Sequence, residues 1–173
     1  MLLALIGIVL LIIIGAFLIL KKIGMTYISE NGTKTDYESY SEFKSEVSGF
    51  FPDPAPESAK DFKYYRMNDD SDYDWAVSFV VSSDDWKSLK KFYQEEFSTQ
   101  NDPSKYIEDE MMTANFLEEQ DIKDIDQLFI GNQTDYKIYR YVIFENSMHK
   151  SWQGVFYNKG NGQVVIFEKE RKK

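Results

Sequence analysis

The chain begins with a continuous apolar run and then changes to mixed patterns. From Leu2 to Leu20 no residue is charged or strongly polar. A helix of this length spans about 28 Å, close to the hydrocarbon core of a bilayer at roughly 30 Å. The run is longer than the apolar part of a cleavable signal, and no small-x-small cleavage site ends it. We therefore expect residues 1–22 to be a transmembrane anchor that contacts the lipid bilayer through residues 2–20.

The lysines beside this run predict an orientation. Lys21 and Lys22 follow the apolar residues directly, whereas no lysine or arginine precedes them. Basic residues favour the cytoplasmic side, so the sequence favours a single-pass protein of the cell membrane with a cytoplasmic domain. An extracellular domain is the alternative, because lysines also extend to whichever interface they meet. We expect a connector at 23–34 and a soluble domain at 35–173.

The first half of this domain predicts a helix, a hairpin and a second helix. Thr35 and Glu38 form a capping-box pattern at the start of a helix over 36–49. Two strands near 61–67 and 74–82 follow the proline-rich stretch. Apolar residues alternate along the second strand and then recur at helical spacing. These two sets are Trp75, Val77, Phe79 and Val81 in the strand, and Trp86, Leu89, Tyr93 and Phe97 in the helix.

The second half is irregular at first and then rich in strands. Asp102-Pro103 is a possible helix start, and 121–129 is a possible short helix. Three strands are predicted afterwards, and the last two are joined by a turn that contains Asn161-Gly162. Their ranges are 135–144, 151–158 and 163–169, and the basic residues 171–173 form a solvated tail. This order predicts an α+β domain with an antiparallel sheet of about five strands and helices mainly on one face.

Charge and composition narrow the function classes. The segment 23–173 carries all 29 acidic residues but only 18 of the 20 basic ones, a net charge of −11 with His149 neutral. Such a charge argues against nucleic acid and suits a basic protein partner. The absence of cysteine excludes disulfides and thiolate catalysis. No glycine-rich phosphate loop is present, so the sequence implies no cofactor.

Two polar clusters are candidates for chemistry. Asp70, Asp72 and Asp74 have the spacing that begins a calcium-binding loop, but Trp75 and Val81 stand where such a loop needs glycine and glutamate. The other interpretation is a solvated hairpin tip, and we predict no metal. The single histidine, His149, lies between strands without a serine-nucleophile motif, which favours a non-catalytic protein.

Aromatic residues in the last strands are the candidate partner-binding site. Alternation places Tyr139 and Tyr141 on one face of their strand, and Trp152 follows on the next strand. If that face is uncovered, it is a surface for a protein partner. If the segment 99–131 folds over it, the same residues are core.

The sequence therefore predicts a membrane-anchored, non-catalytic acidic α+β domain that binds a protein or peptide, of a regulatory or immunity-like kind. Two alternatives stay open. One is an envelope component that acts outside the membrane on wall or lipid material. The other is a hydrolase that uses carboxylates, which would require two acids converging in a deep pocket.

Overall fold

A computed structural model describes residues 36–47, 49–68, 72–98 and 103–173 of the chain. Within these ranges six strands form one sheet: β1 (Lys60–Asn68), β2 (Asp72–Val80), β3 (Lys105–Met111), β4 (Lys137–Glu145), β5 (His149–Asn158) and β6 (Gln163–Lys172). Their spatial order is β1-β2-β6-β5-β4-β3, and every neighbouring pair is antiparallel. The helices are α1 (Tyr40–Glu46), α2 (Ser83–Ser98) and α3 (Phe116–Glu119), with 3-10 turns at Lys123–Leu128 and Gln133–Asp135. The predicted α+β class is confirmed.

The sheet contains one strand more than predicted. The helix expected to begin at Asp102-Pro103 is wrong, because residues 105–111 form β3 and pair with β4. Asp102 itself lies outside the described residues. Three consecutive acids, Glu108 to Glu110, hide the strand pattern in the sequence, because charged side chains are rare in central strands but suit an edge. The short helix predicted at 121–129 is confirmed as a 3-10 turn.

Helix α1 begins later than predicted. Ser39 is its N-cap, and the Ser39 hydroxyl accepts a hydrogen bond of 3.1 Å from the Glu42 backbone N–H. The Glu42 carboxylate in turn accepts one of 2.7 Å from the Glu38 N–H. These bonds satisfy N–H groups at the helix start, the usual role of a capping box. Thr35, the predicted cap, lies outside the described residues.

Both faces of the sheet are buried. On one face, α1 and α2 pack on alternating strand residues to form the helix-side core, which includes Trp75, Val77, Phe79, Leu89 and Tyr93. On the other, residues 112–136, here called the cover segment, pack on the intervening strand residues. This cover-side core includes Leu117, Ile125, Tyr141, Trp152, Phe156 and Phe167. The longer helices thus lie on one face, and short helical turns cover the other.

A β-bulge in β4 changes the alternation expected there. Ile138 pairs with Phe156 and Arg140 with Val155, so the register shifts at Tyr139. An extra residue in one strand reverses the facing of every residue beyond it. Consequently Tyr139 belongs to the helix-side core and Tyr141 to the cover-side core. The prediction that these two tyrosines share a face is wrong.

The two outermost strands are each interrupted by an aspartate. Asp61 in β1 has φ 57° and Asp109 in β3 has φ 62°, in the left-handed region. The ladder between β1 and β2 shifts register beside Asp61, and the register of β3 with β4 passes over Asp109. Charged, irregular edges are a common protection against pairing with further strands.

The predicted anchor, residues 2–20, and the connector at 23–34 lie outside the described ranges. Among the helices inside those ranges, none combines the length and apolar character needed to cross a bilayer. The described elements belong to one compact unit, Thr33–Lys173.

Candidate binding groove

The three residues predicted to bind a partner lie in different environments. Tyr141 and Trp152 are buried beneath the cover segment and are 0% and 2% exposed. These two residues are therefore core, as expected from the alternative in which the segment 99–131 folds over their face. Tyr139 is also buried, at 7% exposed, but it lies on the opposite face, where it lines a groove beside α2.

This groove has a volume of about 280 Å³ and lies between α2 and the ends of β3, β4 and β5. We call it the aromatic groove. Its apolar lining is Trp86, Met111, Tyr139 and Tyr157, and its charged lining is Lys90, Lys137, Lys159, Asp109 and Asp135. Because these residues come from α2, three strands and two turns, only the folded domain brings them together.

Three rings form the aromatic part of the groove. The Trp86 indole stacks on the Tyr157 ring at a centroid distance of 4.0 Å and an interplanar angle of 12°. It meets the Tyr139 ring edge-on at 5.4 Å and 78°. The Tyr139 hydroxyl donates a hydrogen bond of 3.0 Å to the Lys90 carbonyl, which ties β4 to α2. Such ring pairs add about 1 kcal/mol each beyond burial, so the groove is held in shape before anything binds.

The local sequence explains how these residues converge. Trp86 and Lys90 are four residues apart, so they lie on the same face of α2. Tyr157 pairs with Lys137 across β5 and β4, which places their side chains together. The bulge at Tyr139 turns that side chain towards α2. Burial raises the pKa of the Tyr157 hydroxyl, as expected for a ring packed under Trp86.

The charged lining contains more lysines than aspartates. Lys137 Nζ lies 2.6 Å from Asp109 Oδ1, and this hydrogen bond holds the pKa of the Asp109 carboxyl below its usual value. Asp135 Oδ2 accepts a 3.3 Å hydrogen bond from the Asn132 N–H. Lys90 Nζ lies 5.3 Å from the centre of the Tyr139 ring. The charge of Lys90 also lowers the pKa of Asp109. Within the described ranges neither Lys90 nor Lys159 forms an ion pair, so both ammonium groups can contact a ligand.

The aspartates of the hairpin that was the candidate calcium site bind an arginine. Asp72 and Asp74 both bind the Arg171 guanidinium, with closest distances of 3.1 and 2.9 Å. Residues 171 and 172 belong to β6, so the prediction of a solvated tail there is wrong. Asp70 lies outside the described residues, and within those residues no group of three or more acids or histidines could hold a metal ion.

His149 contacts an acid of the neighbouring strand. Its Nδ1 lies 2.9 Å from Glu170 Oε1. Neither Ser147 nor Ser151, the nearby serines, forms a hydrogen bond with it in the described part of the chain. The arrangement ties β5 to β6 near the end of the sheet and resembles no nucleophile–base pair.

Comparison with known proteins does not identify a relative. No protein-family model matches the chain, and searches of curated proteins and of solved structures find no similar protein. The function must therefore be argued from the geometry. Of the predicted binding residues, only Tyr139 lines the groove, and Trp86, Tyr157 and Met111 were missed as binding candidates. Trp86 was missed because its spacing is that of a core-facing helix residue. A residue at the margin of a core has the same spacing.

Proposed function

We propose that the protein is a membrane-anchored, non-catalytic α+β domain that binds a protein or peptide partner through the aromatic groove. The observation that carries this proposal is the groove's aromatic lining, in which Trp86 and Tyr157 stay partly exposed above the buried Tyr139 while both faces of the sheet are otherwise packed. Tryptophan and tyrosine in preformed depressions are the residues that most often dominate binding energy at interfaces. Preorganisation also lowers the entropic cost of binding.

The groove supports binding better than hydrolysis. A carboxylate-dependent hydrolase needs one acid with a raised pKa beside a second acid. Asp109 and Asp135 line the groove and are both exposed, and the pKa of Asp109 is lowered by Lys137. A general acid requires the opposite shift.

The anchor is part of the proposal. Residues 2–20 have the length and composition of a membrane-spanning helix, and the two lysines after them favour a cytoplasmic domain in a single-pass protein. Tethering would confine the groove to the membrane surface and raise its effective concentration towards a membrane-associated partner. A regulatory or immunity-like role fits this arrangement, and an envelope component outside the membrane is the alternative.

The binding proposal is tested by photocrosslinking in cells that express the full chain. We replace Asp135, an exposed residue of the groove lining, with a photoreactive phenylalanine derivative, and a control variant carries the same derivative at Lys63, an exposed residue of β1 at the other edge of the sheet. We expect a discrete adduct from position 135 and none from position 63. No adduct from 135, or the same adduct from both positions, contradicts the proposal.

Two exposed methionines provide a matched pair for the same experiment. Met111 lines the groove and is 57% exposed, whereas Met148 is 65% exposed in the turn between β4 and β5. Met111→Glu should abolish the adduct, because it places a charge against the aromatic lining, and Met148→Glu should leave it intact. Both exposed substitutions should change the free energy of unfolding by less than about 0.5 kcal/mol. An adduct that survives Met111→Glu would locate binding elsewhere.

Topology is tested with a single cysteine, because the chain has none. Ser147→Cys suits this purpose, since Ser147 is exposed in a turn and the change is nearly isosteric. We expect a membrane-impermeant maleimide to label it only after lysis, because the lysine pattern favours a cytoplasmic domain. Labelling in intact cells would instead support the extracellular alternative. Recovery of the protein from the soluble fraction would contradict the anchor.

A further inference from the structure

The charge of the groove differs from that of the domain around it. Residues 23–173 carry a net charge of −11, but the groove lining has three lysines and two aspartates. Lys137 forms an ion pair with Asp109 at 2.6 Å, and the remaining lysines, Lys90 and Lys159, form no ion pair within the described ranges, although the charge of Lys90 also acts on Asp109. A basic partner suits the overall charge, but at the groove itself it would meet these two ammonium groups.

The acidic residues of β3, the adjacent edge strand, do not offset the positive charge of Lys90 and Lys159. In β3, Glu108 faces the groove side and binds Arg140 at 2.8 Å, and Asp109 binds Lys137. Glu110 pairs with Ile138, a residue of the cover-side core, so it lies on the other face of the sheet. The carboxylates of β3 nearest to the groove are therefore already matched by cations.

The groove is also open towards the edge of the sheet. Asp109 and Met111 belong to β3, the outermost strand, which pairs with β4 alone in the described sheet. A volume of about 280 Å³ accommodates one large side chain and its polar neighbours, at the low end of the range for small-molecule pockets, roughly 300–1,000 Å³. An extended chain can enter at this edge, whereas a closed pocket would admit only a small molecule.

We infer that the occupant of the groove is an acidic peptide segment. A large apolar side chain packs against Trp86, Tyr139 and Tyr157, and flanking carboxylates bind Lys90 and Lys159. This inference rests on the proposed function and specifies its partner. A second copy of this chain is a poor occupant, because it would bring its whole net charge of −9 against an acidic domain, whereas a short peptide brings only the few carboxylates that meet Lys90 and Lys159.

The test selects peptides from a random nonamer display library on the full chain in detergent micelles. Selected sequences are synthesised, and their affinities are measured by fluorescence anisotropy. We expect them to contain an aromatic or large aliphatic residue flanked by aspartate or glutamate, and to bind less tightly as salt rises. Binding should weaken sharply in Met111→Glu, which identifies the groove as the site.

A charge-matched pair of variants isolates the lysines. Lys90→Glu/Lys159→Glu should weaken the selected peptides about tenfold, because two rim ion pairs are replaced by repulsion. Lys63→Glu/Lys91→Glu makes the same change in net charge at exposed positions outside the groove and should leave the affinity within about twofold.

The possible results separate this inference from the proposed function. Neutral or basic peptides whose binding is lost in Met111→Glu would overturn the acidic assignment and leave the binding function standing. An N-acetylated aromatic amino acid that binds as tightly as the peptides would assign the groove to a small organic acid instead. If no selected peptide depends on Met111, both the inference and the proposed function fail.

Discussion

Replacing Arg171 with methionine should lower the free energy of unfolding by about 3 kcal/mol at neutral pH, because it leaves the buried Asp74 carboxylate without its hydrogen-bonded cation and with Lys169 as its remaining positive neighbour. The Asp74 side chain is 3% exposed, and Arg171 binds it through two nitrogens at 2.9 and 3.2 Å. Arg171 also binds Asp72 at 3.1 Å. One guanidinium of β6 thus binds two β2 residues, Asp72 and Asp74, that are successive on the same face of the sheet.

The loss of stability in Arg171→Met should be larger at neutral pH than at acidic pH. Burial raises the pKa of the Asp74 carboxyl, and this effect is opposed by the Arg171 hydrogen bonds and by the charge of Lys169. Without Arg171 the folded-state pKa rises further, so the folded variant binds more protons than the unfolded chain between about pH 4 and that raised value. The stability deficit should therefore be largest at neutral pH and shrink as the pH falls through this window.

Urea unfolding of the full chain in detergent micelles, followed by tryptophan fluorescence at pH 7 and pH 4.5, measures this effect. Asp74→Asn/Arg171→Met should recover most of the lost stability, because it removes the buried charge as well. Lys172→Met, the neighbouring exposed position, should cost less than about 0.5 kcal/mol. A deficit for Arg171→Met that is below 1 kcal/mol, or equal at both pH values, would show that the interaction contributes little.

Gly154→Val should cost about 3 kcal/mol, because the cover-side core has no room for a side chain at this position. Gly154 pairs with Phe167 across β5 and β6, and a Cβ on Gly154 would overlap the Phe167 ring. That ring is itself fixed, since it stacks on Phe156 at a centroid distance of 5.7 Å and an angle of 2°. Closely packed interiors relax little when volume is added.

A double-mutant cycle distinguishes this clash from a general weakening of β5. Phe167→Leu creates space beside Gly154, so Gly154→Val/Phe167→Leu should cost at least 1 kcal/mol less than the sum of the single variants. Ser151→Val, on the same strand outside this core, should be nearly neutral. Equal and additive losses in the cycle would contradict the steric explanation.

Strongly periodic segments of this chain were predictable from sequence, and segments with competing signals were not. Trp75, Val77 and Phe79 alternate without interruption, so β2 and its buried face follow from pattern alone. β3 was missed, because an edge strand tolerates charges that would exclude a central one. Likewise, Arg171 resembled a tail residue, because its buried partners lie almost a hundred positions earlier.

The candidate site was the least predictable part. A bulge leaves no sequence signal in β4, yet it decides whether Tyr139 or Tyr141 faces α2. The groove also depends on Trp86 and Tyr157, which come from a helix and a strand far apart in the chain. The sequence singled out aromatic side chains as the residue type for a partner, but the register decides that Tyr139, and not Tyr141, lines the groove.

The aspartates that interrupt β1 and β3 have a consequence for crowding. If the chain is tethered to a membrane as proposed, its copies diffuse in two dimensions and would meet far more often than in free solution. Each sheet would present two open borders at these encounters, a geometry from which fibrils grow. Asp61 and Asp109 place a charge and a local twist on both borders. Even a densely expressed population should therefore stay dispersed instead of pairing edge to edge.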